Sequence, residues 1–406
     1  MSLTDRKMNR RVVVATAVAG AGIAVARPAF AQDATPAASP VASPVASPAA
    51  TPVAGGGLPP LPEGAVVVAQ GLWNPGDIAL GDDGTLYIAE TGVAGGGDST
   101  SEPAAATPNA EGTPPAGAPP LIPPQISKVA PDGTQSVLTT EAGGIGIGLG
   151  AGVVYVSTGG GSVGSGFTPL PQENTVSAVD STTGEVTLLA SLGPYEVANN
   201  PDGLDVNPNL YGLAVDASGL LYVADAGGNT IYTVDPTTKT FALFAVVPNL
   251  TDLTGATPTA EEQAQQAGPR QPVPTSVVID AGGNINVVLL GEMWSGPSVL
   301  SYAPDGTYSV GISGLSMIVA ATIGPDGLLY VSQLSADFTS AQPAPGAVIR
   351  IKADGTTENA VEGLFFPSGI TFDADGNLYV ATNSIISGPD APLGQVARID
   401  GVATPA

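Results

Sequence analysis

One phrase recurs along this chain from about residue 63 onward: an apolar stretch, a turn rich in Asp and Gly, and a strand that ends in Tyr-Val-Ala or a close variant. Four copies are clear and two are degenerate. The six copies span 76–89, 148–157, 212–224, 276–288, 321–332 and 369–381, with marker residues Tyr87, Tyr155, Tyr222, Asn286, Tyr330 and Tyr379. Such repetition is typical of folds built from similar units that bury their apolar surfaces against one another.

A second hairpin pattern follows each of the first five copies. Apolar residues alternate there on both sides of a tight turn, which is the usual signal of a β-hairpin. These second hairpins span 126–138, 176–189, 231–244, 299–310 and 348–361. Each unit is therefore expected to be a four-stranded antiparallel sheet. Six such sheets in tandem predict an all-β fold, a six-bladed β-propeller.

The two ends of the repeated region complement each other. The last unit has a first hairpin and a third strand at 395–399, but no fourth strand follows it. A spare strand at 65–70 precedes the first unit. If this N-terminal strand pairs onto the last blade, the ring closes and leaves no open sheet edge. We therefore expect a propeller domain over 63–400 and a C-terminal tail over 401–406.

Three short segments resemble a known family. Asp225-Ala226-Gly227-Gly228-Asn229, Val273-Pro274-Thr275-Ser276 and Gly291-Glu292 are similar to segments of the ScyD/ScyE family. Members of that family are exported bacterial six-bladed propellers with NHL-like repeats, named from the scytonemin pigment pathway. The resemblance covers roughly 63–400. It implies the same fold and export, but no defined reaction.

The N-terminal region has the pattern of an exported protein. Residues 1–31 combine a basic start, a small and apolar run over 12–26, and an Ala-Phe-Ala cleavage site, as export signal peptides do. The run is shorter than the roughly 20 residues that span a bilayer, so we expect no transmembrane segment in the mature chain. Residues 32–62 repeat Ala, Ser and Pro and predict a disordered spacer. The sequence thus predicts a secreted or extracytoplasmic protein, with the cell surface as a possible location.

Composition excludes several kinds of chemistry. The 406 residues contain no His and no Cys, so a Ser-His-Asp triad, a Cys nucleophile and a zinc site of imidazole or thiolate are impossible. The chain has 11 Lys and Arg against 36 Asp and Glu, for a formal net charge of −25. A nucleic-acid partner is excluded on that ground, because binding a phosphate backbone depends on basic side chains.

The long inserts fall on one face of the predicted propeller. In a four-stranded blade, the loops from the second to the third strand lie on the same face as the crossings between blades. All six inserts are of these two kinds, at 93–124, 158–173, 193–208, 249–272, 333–345 and 384–393. Variable loops on a rigid scaffold often carry function, so this loop-rich face is the expected working surface.

Polar residues at strand ends on the loop-rich face are the candidate site. The ligand-binding candidates are Trp73, Asn74, Asn229, Thr275, Trp294, Ser368 and Asn383. Glu90, Asp225 and Glu292 are the candidate metal ligands and catalytic carboxylates. Carboxylate and amide oxygens that converge from different blades would suit Ca²⁺, which takes six to eight oxygen ligands. The same residues could equally be loop caps without metal, since turns require Asp, Asn and Gly.

Three functions remain open. The first is a non-catalytic module that binds a small molecule or another extracytoplasmic protein through the loop-rich face, acting as a monomer. The second is a calcium-dependent lactonase or esterase, similar to enzymes of the gluconolactonase type, in which Glu90, Asp225 or Glu292 is a general base beside the metal. The third is a surface scaffold tethered by its spacer. Because propellers host both binding and catalysis, the fold alone does not separate these functions.

Overall fold

Six four-stranded antiparallel sheets make up the fold in the computed structural model, which describes residues 59–93, 122–160, 172–254, 271–290, 297–337, 343–388 and 390–405. They confirm the six-bladed β-propeller. The expected export signal at 1–31 and all but the last four residues of the expected spacer lie outside the described residues.

The chain forms 24 strands in the part that the structure describes. Blade one contains β2 (Pro75–Leu80), β3 (Leu86–Glu90), β4 (Gln125–Val129) and β5 (Gln135–Thr139). Blade two contains β6 (Gly146–Gly150), β7 (Val153–Thr158), β8 (Thr175–Asp180) and β9 (Val186–Ser191). Blade three contains β10 (Leu210–Val215), β11 (Leu221–Asp225), β12 (Thr230–Asp235) and β13 (Thr240–Val246). Blade four contains β14 (Pro274–Ile279), β15 (Ile285–Leu289), β16 (Pro297–Tyr302) and β17 (Tyr308–Ser313). Blade five contains β18 (Ile318–Ile323), β19 (Leu329–Gln333), β20 (Gly346–Ile351) and β21 (Thr357–Leu364). Blade six contains β22 (Ile370–Phe372), β23 (Leu378–Thr382), β24 (Gly394–Ile399) and β1 (Val66–Leu72).

Blade six closes the ring with a strand from the other end of the domain. Strand β1 pairs antiparallel with β24, so that Val66 lies opposite Arg398 and Leu72 lies opposite Gly394. The innermost strand of each blade contacts the innermost strands of both neighbouring blades, all the way round the ring. The closure expected from the spare strand at 65–70 is therefore confirmed.

The recurring Tyr-Val-Ala phrase lies on the second strand of each blade, where neighbouring blades cover both faces. All residues of β3 and β11 are buried, and this explains their nearly continuous apolar sequence. Six clusters of buried side chains lie between adjacent blades. Each fully buried Val, Leu or Ile in them stabilises the fold by about 1.5–3 kcal/mol.

The tight turns form the opposite face of the ring, which we call the turn face. In ten of these turns one Asp accepts a hydrogen bond through Oδ1 from the backbone N–H two residues later, whereas the turn from β6 to β7, at Ala151-Gly152, contains no Asp. The ten are Asp83, Asp132, Asp180, Asp216, Asp235, Asp280, Asp305, Asp326, Asp354 and Asp373. These N–H groups favour the ionised carboxylate, so the Thr134 N–H lowers the pKa of Asp132. Much of the acidity of this chain therefore serves its turns.

The loop-rich face carries the two described helices, α1 (Gly193–Asn199) and α2 (Leu250–Thr254). The first connects β9 to β10 and the second lies between β13 and β14, so both belong to crossings between blades. Within the described ranges, no helix is long and apolar enough to cross a membrane.

Candidate functional site

Glu90 ends strand β3 on the loop-rich face and is completely buried. Its Oε2 accepts a hydrogen bond from the backbone N–H of Trp73 at 2.6 Å. Its Oε1 accepts from Ser127 Oγ at 2.5 Å and from Gln125 Nε2 at 2.9 Å. Burial raises the pKa of Glu90, and the three donors oppose that shift. The carboxylate thus holds together the second and third strands of blade one and the start of its first strand.

Asp225 has the equivalent place in blade three, at the end of β11, and is also completely buried. Its Oδ1 accepts hydrogen bonds from the backbone N–H groups of Asn209, Gly227 and Gly228 at 2.7, 3.2 and 2.9 Å. Burial raises the pKa of Asp225 to about 6 despite these donors. Its Oδ2, in contrast, has no hydrogen-bond partner.

Several of the predicted ligand-binding residues connect neighbouring blades. Asn74 Oδ1 accepts from the Ser387 N–H at 2.8 Å, and Ser368 Oγ donates to the Pro75 carbonyl at 2.8 Å, so both join blade one to blade six. Thr275 Oγ1 donates to the Ile318 carbonyl across the junction of blades four and five. These side chains lie where the sequence predicts them, at the starts of inner strands.

Asn229 joins blade three to the start of blade four. Its Oδ1 accepts from the Val273 N–H at 3.2 Å, and its Nδ2 donates to Asp202 Oδ2 at 2.7 Å and to Gln271 Oε1 at 3.2 Å. The residue has a left-handed φ of 50°, a conformation that Asn tolerates better than most residues.

Asn383 follows β23, also with a left-handed φ, and its buried Nδ2 has no hydrogen-bond partner. Trp73 is half-buried. Glu292 and Trp294 lie outside the described residues. The predicted trio of Glu90, Asp225 and Glu292 is therefore incomplete here. Among the residues that the structure does describe, no group of three or more acidic side chains is placed to hold a metal ion. The calcium site of that trio, and its catalytic role, stay predictions.

An apolar cluster, which sequence reasoning missed, gathers side chains of blades two to six where the strands meet the loop-rich face. Its buried members are Ile145, Tyr211, Ala226, Val273, Leu290, Met317, Val319, Leu334 and Phe366. Val273, Met317 and Phe366 each precede or adjoin an inner strand with a left-handed φ of 45–55°. Residues other than Gly and Asn rarely adopt this backbone conformation. Because Val, Met and Phe stand here instead, the sequence does not indicate a left-handed residue at these positions.

A small cavity lies between the inner strands and is lined by Asp77, Tyr211, Thr275 and Ser368 among others. Its accessible volume is about 10 Å³, which is enough for about one water molecule. Burial raises the pKa of Asp77 to about 7, although the N–H groups of Ile78 and Ile147 donate to it. Burial and the charge of Asp77 also raise the pKa of Tyr211.

Glycines explain why the inner strands come so close. A Cβ on Gly76 would lie 2.8 Å from the Ile145 Cα, and one on Gly369 would lie 2.4 Å from the Asp77 Cα. Only the residue without a side chain fits at such positions. At Gly76 and Gly369, the close approach of neighbouring inner strands therefore leaves no room for a side chain.

Two acids whose pKa is raised to about 7 were not among the predicted site residues. Asp77 sits one position after Gly76 in the first inner strand, and the copy-to-copy pattern of the repeat gives no reason to single it out. Glu196 lies in α1 and is completely buried, with neither carboxylate oxygen hydrogen-bonded. It belongs to the insert at 193–208, where no periodic pattern predicts which side chain turns inward.

The sequence matches none of the protein-family profiles and none of the curated proteins at a significant level. The resemblance to the ScyD/ScyE family therefore gains no support from a family match.

Many solved structures have a similar fold, and three of them illustrate the low sequence identity. A structural genomics protein of unknown function from Bacteroides thetaiotaomicron is 11% identical, with a TM-score of 0.53 over 83% of this chain and 75% of that chain. A gluconolactonase from Xanthomonas campestris is 11% identical, with a TM-score of 0.49 over 82% and 88%. A calcium-binding protein, regucalcin, from Agrobacterium tumefaciens is 12% identical, with a TM-score of 0.48 over 83% and 96%. At these identities, the similarity concerns the fold alone.

Proposed function

We propose that this chain is an exported, non-catalytic binding module of the ScyD/ScyE type, which recognises a small molecule or another extracytoplasmic protein with its loop-rich face. Export rests on the signal pattern of residues 1–31. The family assignment rests on the three segments at 225–229, 273–276 and 291–292.

The difference between the two faces carries the proposal. On the turn face, ten short turns satisfy their own polar groups through one repeated Asp contact. The loop-rich face instead receives six long connections of different sequence and length. A rigid ring that presents diverse loops on one side is typical of binding proteins, because the ring fixes the loops without constraining their sequence.

The use of the polar side chains at the base of these loops agrees with binding rather than catalysis. Both oxygens of Glu90 are engaged by donors of its own blade. Asn74, Ser368 and Thr275 join blades to one another. Such groups stabilise the scaffold and leave recognition to the loops above them.

The experiment is a thermal-unfolding screen of the exported chain against soluble oligosaccharides, since Trp73 and Trp294 could stack on a sugar ring. A ligand that fills the site well above its dissociation constant is expected to raise the melting temperature by a few degrees. The shift should disappear when residues 97–118 of the insert at 93–124 are replaced by a short Gly-Ser linker, or in Val197→Glu on the exposed side of α1. It should persist in Thr182→Glu, a matched control on the turn face.

A parallel assay of glucono-lactone hydrolysis tests the calcium-dependent lactonase alternative. Turnover that requires Ca²⁺ and is abolished by Glu292→Gln would replace the binding proposal by the enzymatic one. A ligand shift that both loop-face variants leave intact, and that Thr182→Glu removes, would show that the wrong face was chosen.

A further inference from the structure

Glu196 is a buried carboxylate without a partner. It lies on α1, in the crossing from blade two to blade three, and neither Oε1 nor Oε2 has a hydrogen-bond partner although the residue is 0% exposed. An ionised carboxylate in such a place costs several kcal/mol unless a hydrogen bond or an opposite charge compensates it. The charge of Glu196 is therefore compensated either by a proton or by a bound cation.

Asp225 borders the same space from strand β11. While its Oδ1 accepts three backbone N–H groups, its Oδ2 has none. A Cβ placed on Gly228 would lie 3.0 Å from Asp225 Oδ2 and 3.2 Å from Glu196 Cδ. The absent side chain of Gly228 thus leaves a gap between the two carboxylates, and the free oxygens of both adjoin it.

Two hydroxyl oxygens nearby, Thr230 Oγ1 and Tyr232 OH, are also buried. The charges of Asp225 and Glu196 both contribute to the raised pKa of Tyr232, after the larger effect of burial. The gap is therefore bordered by carboxylate and hydroxyl oxygens, which are the ligands that a hard cation prefers.

The electrostatics point the same way. Burial, followed by the charges of Asp225 and Asp202, raises the pKa of Glu196 to about 7. Asp202 is held by the side chain of Asn229 and the Leu204 N–H, so it adds a third negative charge close by. No Lys or Arg among the described residues offsets the charge of either carboxylate.

We propose that Glu196 and Asp225 bind one divalent cation, Ca²⁺, at the gap left by Gly228 on the loop-rich face of blade three. Ca²⁺ fits better than Mg²⁺ because it accepts irregular sets of six to eight oxygens, completed here by Thr230 and water, whereas Mg²⁺ demands a near-ideal octahedron and keeps its waters. The ligands of this site differ from the trio of Glu90, Asp225 and Glu292, with which it has only Asp225 in common. The site does not depend on the proposed function.

A cation at this site would link the crossing from blade two to blade three with the end of β11, the second strand of blade three. Glu196 belongs to the connection from β9 to β10, while Asp225 is the last residue of β11. A bound cation therefore would order the loop-rich face around blade three.

The test is calorimetric titration of the exported, metal-free chain with calcium chloride and, separately, magnesium chloride. We expect one Ca²⁺ per chain, a melting temperature raised by a few degrees, and binding of Mg²⁺ at least tenfold weaker. Terbium luminescence, which aromatic side chains near the ion sensitise, gives a second readout that Ca²⁺ should quench by competition.

Three variants decide the assignment. Glu196→Gln and Gly228→Ala should each weaken Ca²⁺ binding at least tenfold, the first by removing a charge and the second by filling the gap. Asp77→Asn is the matched control, because it neutralises an acid of blade one outside the proposed site and should leave the affinity unchanged. Since Glu196→Gln removes an uncompensated charge, it is expected to melt no lower than the wild type without metal.

Other results would overturn the proposal. Absence of Ca²⁺ binding, or binding that survives both Glu196→Gln and Gly228→Ala, would exclude the site. Binding lost in Glu90→Gln but kept in Glu196→Gln would place the cation at the trio instead.

Discussion

Replacing Asp77 by Asn is expected to stabilise the protein at neutral and alkaline pH. Asp77 lies in the cavity at the axis, where burial raises its pKa from 3.8 to about 7. Between these two values the folded chain binds more protons at this position than the unfolded chain. The contribution of Asp77 to the free energy of unfolding of the wild type therefore falls as the pH rises from about 4 to about 7. Above that range this contribution is constant.

The size of the effect follows from the shift. A difference of about three pKa units corresponds to an upper limit of about 4 kcal/mol, which the ionised carboxylate costs above about pH 7. Asn keeps the shape of the side chain and an oxygen for the N–H groups of Ile78 and Ile147, but it does not ionise. Asp77→Asn should thus match the wild type near pH 4 and exceed its stability increasingly up to about pH 7.

Urea unfolding of both proteins at several pH values between about 4.5 and 8 measures this difference. The slopes of the unfolding free energy against urea should agree, so that only the midpoints move. Taking the difference between the two proteins cancels the other acids that titrate in the same range. Parallel pH profiles, or a variant that is less stable than the wild type at about pH 8, would refute the argument that burial destabilises the ionised Asp77.

Three further predictions concern the scaffold. Glu90→Ala should lower the free energy of unfolding by about 2–4 kcal/mol, because three donors lose their acceptor. Glu90→Gln should lower it less. Equal losses of the two variants in urea unfolding would show that the hydrogen bonds do not matter. Gly369→Ala should cost at least about 3 kcal/mol or prevent folding, since its methyl group would meet backbone, whereas Gly388→Ala, with nothing within 4 Å, should be neutral by the same measurement. Deletion of 59–72 should expose the edge of blade six and produce dimers or aggregates in light scattering, while deletion of 32–58 should leave a monomer; a monomeric product of the first deletion would contradict the closure.

The fold could be predicted because each blade repeats the same physical requirement. A second strand covered on both faces needs a continuous apolar run, and a hairpin beside it needs an Asp-Gly turn, so the two signals recur in phase. Even the degenerate copy with Asn286 in the marker position pairs as expected, opposite Val278. Closure could be predicted for a related reason. Strand β1 has no neighbour in sequence to pair with, and the last blade lacks a fourth strand.

The candidate site was less predictable because a polar side chain at a strand end has several uses. Asn74 and Ser368 were correctly placed on the loop-rich face, yet the polarity that suggests a ligand also serves to join blades one and six. Val273 adopts a left-handed φ that sequence reasoning assigns to Gly or Asn. Glu196 is one acid in an irregular insert, and only the three-dimensional path of α1 brings it next to Asp225.

The pairing of β1 with β24 also sets an order of events during biosynthesis. The ribosome makes β1 before any other strand of the ring and makes its partner last, so β1 has no neighbour to pair with until the chain is almost complete. Contacts between such distant segments form slowly, because the intervening loop must first be closed. The five other blades can each assemble from consecutive strands as they emerge. Blade six is consequently the last to form, and until then the nascent ring presents two unpaired edges that a chaperone would have to shield.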